Sequence, residues 1–228
     1  MNIALIVASG KGTRLGENTP KQFLSILGTP LIVRTVSTFN KHNQIDKIVI
    51  VTNEEYISSV KEWVDEYKLN KVEIITKGGE TRQASVFNGL KAIKEIVNEN
   101  DIILIHDCAR VLVSEEIITN NIETAIKYNA VTTVISASDT VIKSSGSLVL
   151  EETLNREEIY LSQTPQSFKF ALIYEAHLIA SNKTIPNVTD DAMLARHNGN
   201  KVYLVQGDRL NFKVTTKEDL KLLEALLK

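Results

Sequence analysis

The chain has 228 residues, enough for one large domain or two small ones. Its 26 Lys and Arg against 28 Asp and Glu leave a formal net charge of −2, which excludes an overall basic, counterion-releasing nucleic-acid binder. A hydrophobic fraction of 43% excludes a disordered chain, and the longest apolar runs, five or six residues as in Ile3-Ala4-Leu5-Ile6-Val7-Ala8, fall far short of the roughly 18 that a membrane span needs.

The start, Met1-Asn2-Ile3, has no basic leader and no small-residue cleavage site, so no signal peptide is expected. Short runs rich in Ile, Val and Leu at residues 3–7, 48–51, 72–75, 102–105, 131–135 and 202–205 are the strand candidates. Their near-continuous apolar content suits strands buried on both faces. Between them apolar residues recur every three or four positions. Tyr56, Val60, Trp63 and Tyr67 predict a helix that Asn53 would cap. Val86, Leu90, Ile93 and Val97 predict a second, and Ile117, Ile118, Ile122 and Ile126, behind Ser114 as cap, predict a third. Near the end Thr216 stands three before Asp219, a capping-box variant, ahead of a stripe of Leu220, Leu223 and Leu227. This alternation predicts one α/β domain over residues 1–228, a Rossmann-like, mostly parallel sheet flanked by helices. Residues 136–160 break the rhythm. There Thr140-Val141-Ile142 and Leu148-Val149-Leu150 flank the turn-rich Ser144-Ser145-Gly146-Ser147, which predicts a projecting β-hairpin arm.

The glycine-rich stretch Ala8-Ser9-Gly10-Lys11-Gly12-Thr13-Arg14-Leu15-Gly16 follows directly on the first strand. In a parallel sheet ligands bind beyond the carboxyl ends of strands, and glycines there let backbone N–H groups approach phosphate oxygens. A solvated turn with incidental glycines is the plainer reading of the same residues. The spacing fails the dinucleotide fingerprint, because Leu15 stands where the third glycine should, and this disfavours an oxidoreductase. It also fails the P-loop, because Gly10-Lys11 is followed by Gly12. Next comes Thr19-Pro20-Lys21-Gln22-Phe23-Leu24, in which proline restrains the loop that presents Lys21.

The two stretches together resemble the signature of the sugar-phosphate nucleotidyltransferases, and Pro20-Lys21-Gln22-Phe23-Leu24 points to the cytidylyltransferases among them. The resemblance extends through Gly78-Gly79-Glu80-Thr81-Arg82-Gln83-Ala84-Ser85-Val86, His106-Asp107-Cys108-Ala109-Arg110, Thr153-Leu154-Asn155-Arg156 and Gln163-Thr164-Pro165-Gln166-Ser167-Phe168. Thr189-Asp190-Asp191-Ala192 and Asn211-Phe212-Lys213-Val214-Thr215-Thr216 complete it. The nearest groups are the methylerythritol phosphate cytidylyltransferases, which are favoured, and the ribitol-5-phosphate cytidylyltransferases, which serve teichoic acid or capsule precursors.

The resemblance implies attack by a polyol phosphate oxygen on the α-phosphorus of CTP, with pyrophosphate leaving. Two anions must meet, so cations and a metal matter more than a base. It implies Lys11, Arg14 and Lys21 at the triphosphate, Lys213 at the acceptor phosphate, and Ala8, Ser9, Gly10 and Gly12 at the nucleotide backbone. Gly79, Glu80 and Ser85 would recognise cytidine, Asp107 and Asn211 would hold Mg²⁺, and Arg110 would contact the acceptor. Thr140 and Arg156 would reach a second subunit's acceptor through the arm, which implies a homodimer. An isolated two-stranded arm is marginal in water, so a partner surface is expected on physical grounds as well. Three positions depart from the family pattern: Ser9 stands for Ala or Gly, Cys108 for Ala or Ser, and Val111 for proline. Cys108 is the one cysteine, so neither an internal disulfide nor a cysteine zinc cage is possible, and a reducing cytoplasm is the expected setting. An inactive homologue serving as a binding protein is the alternative from another class.

Overall fold

The computed structural model describes residues 1–10, 20–146, 148–182 and 188–228. In chain order the first elements are β1 (Asn2–Ala8), β2 (Ser25–Ile26), β3 (Thr29–Pro30), α1 (Leu31–Lys41), β4 (Lys47–Thr52), α2 (Ile57–Glu66), β5 (Val72–Lys77) and α3 (Arg82–Ile93). They are followed by β6 (Ile102–Asp107), α4 (Glu115–Tyr128), β7 (Ala130–Ser136), β8 (Ile142–Lys143) and β9 (Glu152–Thr153). The last are β10 (Tyr160–Lys169), α5 (Phe170–Asn182), α6 (Asp191–His197), β11 (Tyr203–Gln206) and α7 (Lys217–Leu227). The main sheet has the order β11-β7-β10-β6-β1-β4-β5. Only β10 runs antiparallel to its neighbours, so the sheet is mostly parallel, as the alternating pattern predicts.

Side chains alternate across each central strand, which explains the continuous apolar runs. Ala4 and Ile6 of β1, Ile48 and Ile50 of β4, and Ile102 and Leu104 of β6 join the layer of α1, α2, α4 and α7. Ile3 and Leu5, Val49 and Val51, and Ile103 and Ile105 join the layer of α3, α5 and α6. Each such fully buried Ile or Leu contributes about 1.5–3 kcal/mol by burial, so β1, covered on both faces, anchors the fold.

The expected caps hold in two places and fail in one. The Ser114 side chain accepts from the Ile117 N–H at the start of α4. Thr216 and Asp219 form a reciprocal capping box on α7. Asn53 precedes only a short 3₁₀ turn and makes no side-chain cap bond, while α2 begins after Tyr56. Ser85 lies inside α3, whose cap is Thr81, accepting from Ala84 N–H. Val97 lies beyond the end of α3, and Ile126 is exposed on the outer face of α4.

The expected arm is present, but its second strand is not where the apolar run suggests. Ile142 pairs with Thr153 and Lys143 with Glu152, so β9 lies beyond Leu148-Val149-Leu150. Those three residues are exposed at the tip instead, Leu148 to 98%. The larger omission is β10, a strand of the main sheet carrying Pro165, a residue that in a sequence argues against an interior strand. The register shifts between Ser162 and Gln166, and this irregularity accommodates the proline. The helices α1, α5 and α6 also lie outside the periodic segments read from sequence.

Candidate active site

The carboxyl ends of β6, β1, β4 and β5 lie side by side, and a cleft of about 750 Å³ opens beyond them. This is where an open parallel sheet binds ligands. Ala8, Ser9, Gly10, Lys21, Gly79, Glu80, Ser85, Asp107 and Lys213 all line it. They come from distant parts of the chain, and each is fixed from behind.

The turn after β1 is held by Gln22. Its buried amide donates to the carbonyls of Ala8 (2.7 Å) and Gly10 (2.8 Å). The neighbouring Lys21 reaches across to the Val214 carbonyl at 2.6 Å. Lys11, Gly12 and Arg14 lie outside the described residues.

At the opposite wall the turn from β5 to α3 is packed against this loop. The Ser85 hydroxyl accepts from Gly79 N–H (3.0 Å) and from the Ser9 hydroxyl (2.7 Å), and donates to the Thr81 carbonyl (2.8 Å). A Cβ on Gly78 would sit 2.4 Å from Ser9 Cβ, and one on Gly79 would sit 2.5 Å from Ala84 Cβ. The glycines are thus required by close approach rather than by backbone sign. Glu80 is exposed at the rim.

Asp107, at the end of β6, carries the charge of the site. Arg82 Nε meets its Oδ1 at 3.0 Å and Lys213 Nζ meets its Oδ2 at 2.5 Å. Burial alone would raise its pKa, but Arg82 and Lys213 outweigh burial and hold the carboxyl well below the usual range. Its N–H donates to Thr164 Oγ1 (3.0 Å), whose hydroxyl meets His106 Nδ1 (3.1 Å), while His106 Nε2 meets the Arg110 carbonyl (3.0 Å). His106 is fully buried, and burial brings its pKa down to about 4. The imidazole therefore serves as a neutral brace beneath the site. Burial pushes the thiol of the neighbouring Cys108 upward, which leaves no thiolate for chemistry.

Four expected site residues lie elsewhere. Arg110 donates to the backbone carbonyls of Asn211 (2.7 Å) and Ser162 (3.3 Å). Asn211 is fully buried, and its amide donates to Gln163 Oε1 (3.1 Å) and the Thr164 carbonyl (2.9 Å). Thr140 and Arg156 are exposed on the arm, with Arg156 donating to the Ser138 carbonyl of its own chain (3.3 Å).

For a divalent cation the donors divide. Among the described residues no group of three or more His, Cys, Asp or Glu side chains is gathered as a metal cage would be. Asp107 nevertheless fits a Mg²⁺ ion, which is usually held by one or two carboxylates together with substrate phosphates. Its carboxylate is ionised and faces the cleft, and two oxygens offer about four lone-pair positions, of which the two cations use two. Asn211 does not fit, because its side chain is sealed in the interior.

Three residues escape sequence reasoning: Arg82 on the cleft wall and, behind it, Asp191 and His177. Arg82 Nη1 reaches Asp191 Oδ2 at 2.8 Å, and Asp191 Oδ1 accepts from His177 Nε2 at 3.0 Å. Burial disfavours the Arg82 charge, but Asp191 and Asp107 outweigh it and hold its pKa above the usual range. Arg82 and Asp191 are the first residues of α3 and α6, and each sits within a recognised block, the one signal that points to them. His177 carries none.

A sequence profile of the family described as 2-C-methyl-D-erythritol 4-phosphate cytidylyltransferase (IspD) matches residues 2–228. The chain is 42% identical over 229 residues to the enzyme of that name from Clostridium botulinum (strain Loch Maree / Type A3), with 99% of this chain and 97% of that one covered. It is 42% identical to the one from Clostridium acetobutylicum, with 100% and 98% covered. Among solved structures it resembles the 4-diphosphocytidyl-2C-methyl-D-erythritol synthase of Anaerococcus prevotii DSM 20548, with a TM-score of 0.85, 29% identity, and 99% and 95% of the chains covered. A profile match over residues 2–228 and relatives at 42% identity establish that this chain belongs to the 2-C-methyl-D-erythritol 4-phosphate cytidylyltransferase family.

Proposed function

We propose that this chain transfers the cytidylyl group of CTP to 2-C-methyl-D-erythritol 4-phosphate. An oxygen of the acceptor phosphate attacks the α-phosphorus, the bond to the β-phosphate oxygen breaks, and pyrophosphate leaves as the CDP-polyol forms. The observation that carries this reading is that one cleft at the strand ends is lined by Lys21 and by the cluster of Arg82 and Lys213 on Asp107, within a chain of this family. Such a site brings two anions together and stabilises charge that builds on the transferring phosphoryl group. No base is required, because the nucleophile is already an anion.

In this reading Lys21 faces the α-phosphate, with Lys11 and Arg14 on the rest of the triphosphate. Lys213 positions the acceptor phosphate. The backbone of Ala8, Ser9, Gly10 and Gly12 contacts the nucleotide, and Gly79, Glu80 and Ser85 face the cytidine. Asp107 would hold Mg²⁺, which when bound neutralises phosphate charge. Asn211 supports β10 rather than the metal. Arg110, pinned on the Asn211 and Ser162 carbonyls, shapes the acceptor side. Residues 1–228 act as one nucleotidyltransferase domain. The arm grips a second copy of the chain, a role favoured by Leu148, Val149 and Leu150 exposed at its tip. Thr140 and Arg156 then serve the partner's acceptor. No helix is long and apolar enough to cross a membrane among the described residues. A cytoplasmic setting suits the nucleotide substrate and the unpaired, buried Cys108.

The test is pyrophosphate release in the presence of Mg²⁺. CTP with 2-C-methyl-D-erythritol 4-phosphate should support turnover, and ATP or GTP should not at comparable kcat/KM. Preference for D-ribitol 5-phosphate as acceptor would overturn the substrate assignment.

A further inference from the structure

Behind the cleft wall, an ionic chain crosses the layer formed by α3, α5 and α6. It runs from His177 on α5 to Asp191 on α6, to Arg82 on α3, and ends on Asp107. His177 and Asp191 are almost wholly buried, and the surroundings are otherwise apolar, with Val86, Phe168, Phe170 and Ile173 in the same layer. Burying charges has a large desolvation cost, and well-packed apolar residues would hold three helices together at least as well. Packing alone therefore gives no reason for these residues.

The geometry gives one. Asp191 is immobilised from its main chain. Its N–H and that of Ala192 both donate to Gln166 Oε1 (3.1 Å each), so its place is referred to β10. Its two carboxylate oxygens are divided, Oδ1 to His177 and Oδ2 to Arg82. Arg82 opens α3 directly after the Thr81 cap, so its backbone is fixed as well. Its planar fork then spans two carboxylates, with Nη1 on Asp191 and Nε on Asp107. With Lys213 on the other oxygen of Asp107, the carboxylate is held from both sides.

We propose that Asp191 and His177 are positioning residues for the transfer reaction: they hold Arg82 so that Arg82 and Lys213 keep the Asp107 carboxylate in one orientation toward the cleft. Neither Asp191 nor His177 lines the cleft, so both act through Arg82. This rests on the cytidylyl-transfer reading, and it adds two residues to the machinery of that site.

The experiment is a set of single variants and one double variant, with kinetics and a substrate-free readout. Asp191→Asn should lower kcat by about ten- to hundredfold, with the KM for CTP within about threefold, as expected for a supporting partner of a site residue. His177→Leu should lower kcat by about three- to tenfold, and His177→Gln, which can still donate to Asp191, should restore most of it. The Arg82→Lys/Asp191→Asn double variant should be no worse than Arg82→Lys alone, because both act through one guanidinium. Independently of turnover, ¹⁵N NMR should find the Arg82 Nε–H, identified by its loss in Arg82→Lys, exchanging at least about tenfold faster in Asp191→Asn than in the parent. If Asp191→Asn does not fold, His177→Leu, which leaves both Arg82 salt bridges in place, carries the kinetic and exchange tests. Variants within about twofold of the parent kcat, losses that multiply in the double variant, or unchanged Nε–H exchange would each overturn the proposal. A parent protein that makes no CDP-polyol would instead sink the function reading, and the exchange measurement would still decide whether Asp191 and His177 anchor Arg82.

Discussion

Lys21 and Val214 are 193 positions apart and are joined by a 2.6 Å hydrogen bond from the lysine ammonium to the valine carbonyl. The bond ties the segment after the glycine-rich turn to the segment that carries Lys213. The two lysines proposed to serve the two substrates are thereby set on one rim, one beside the nucleotide loop and the other on Asp107.

Lys21→Ala should lower kcat by about 10²–10³, the typical loss when one preorganised donor to developing charge is removed. The loss of its bond to Val214 costs at most about 1.5–3 kcal/mol, because that bond has a charged donor and is only partly buried. Steady-state kinetics beside a melting curve separates the two effects. A change in kcat under about threefold would remove Lys21 from the mechanism.

Stability should fall on acidification through His106. The buried ring has a pKa of about 4, whereas an unfolded histidine titrates near 6.5. Between those values the unfolded chain binds a proton that the folded chain refuses, so the folded state loses ground as pH falls from about 6.5 to about 4. The expected loss is on the order of 3 kcal/mol over that window. Denaturant unfolding at pH 7.5 and 4.5, compared with His106→Gln, checks it. The variant should lack most of the slope, and equal losses in both proteins would contradict the assignment.

Arg156→Ala and Lys21→Ala should complement one another. If Arg156 serves the neighbouring subunit, a mixed dimer holds one site with both defects and one with neither. After random exchange half the dimers are mixed, so activity should return toward about a quarter of the parent level from two nearly inactive proteins. Absence of recovery, with exchange demonstrated by a tagged chain, would place Arg156 outside the partner's site.

The parallel part of the sheet is legible in sequence because β1, β4 and β6 are buried on both faces and so carry unbroken Ile and Val runs. β10 is not, because its Thr164 and Gln166 face polar partners and Pro165 interrupts the run. At the site, Lys21, Asp107 and Lys213 are legible because each falls in a block whose residue types suit phosphate or metal. Arg82 and Asp191 sit in such blocks without standing out, since their meaning lies in a contact between residues 109 positions apart. His177 has no local signature, being one position in an apolar helix. Arg110 and Asn211 illustrate the converse: chemically suitable side chains that the fold engages with backbone carbonyls.

The arm leaves the sheet from β7 and returns on β10, and these two strands are hydrogen-bonded neighbours, with Ser136 opposite Tyr160 and Ala137 N–H on the Ile159 carbonyl. Both feet are therefore clamped by the ladder, while among the described residues none between Lys143 and Glu152 joins the main sheet's core clusters. Such a layout makes the tip an exchangeable part. Its length and apolar character can drift without disturbing Thr164 and Gln166 farther along the same strand, so the proposed partner-gripping surface and the cleft are free to evolve at separate rates.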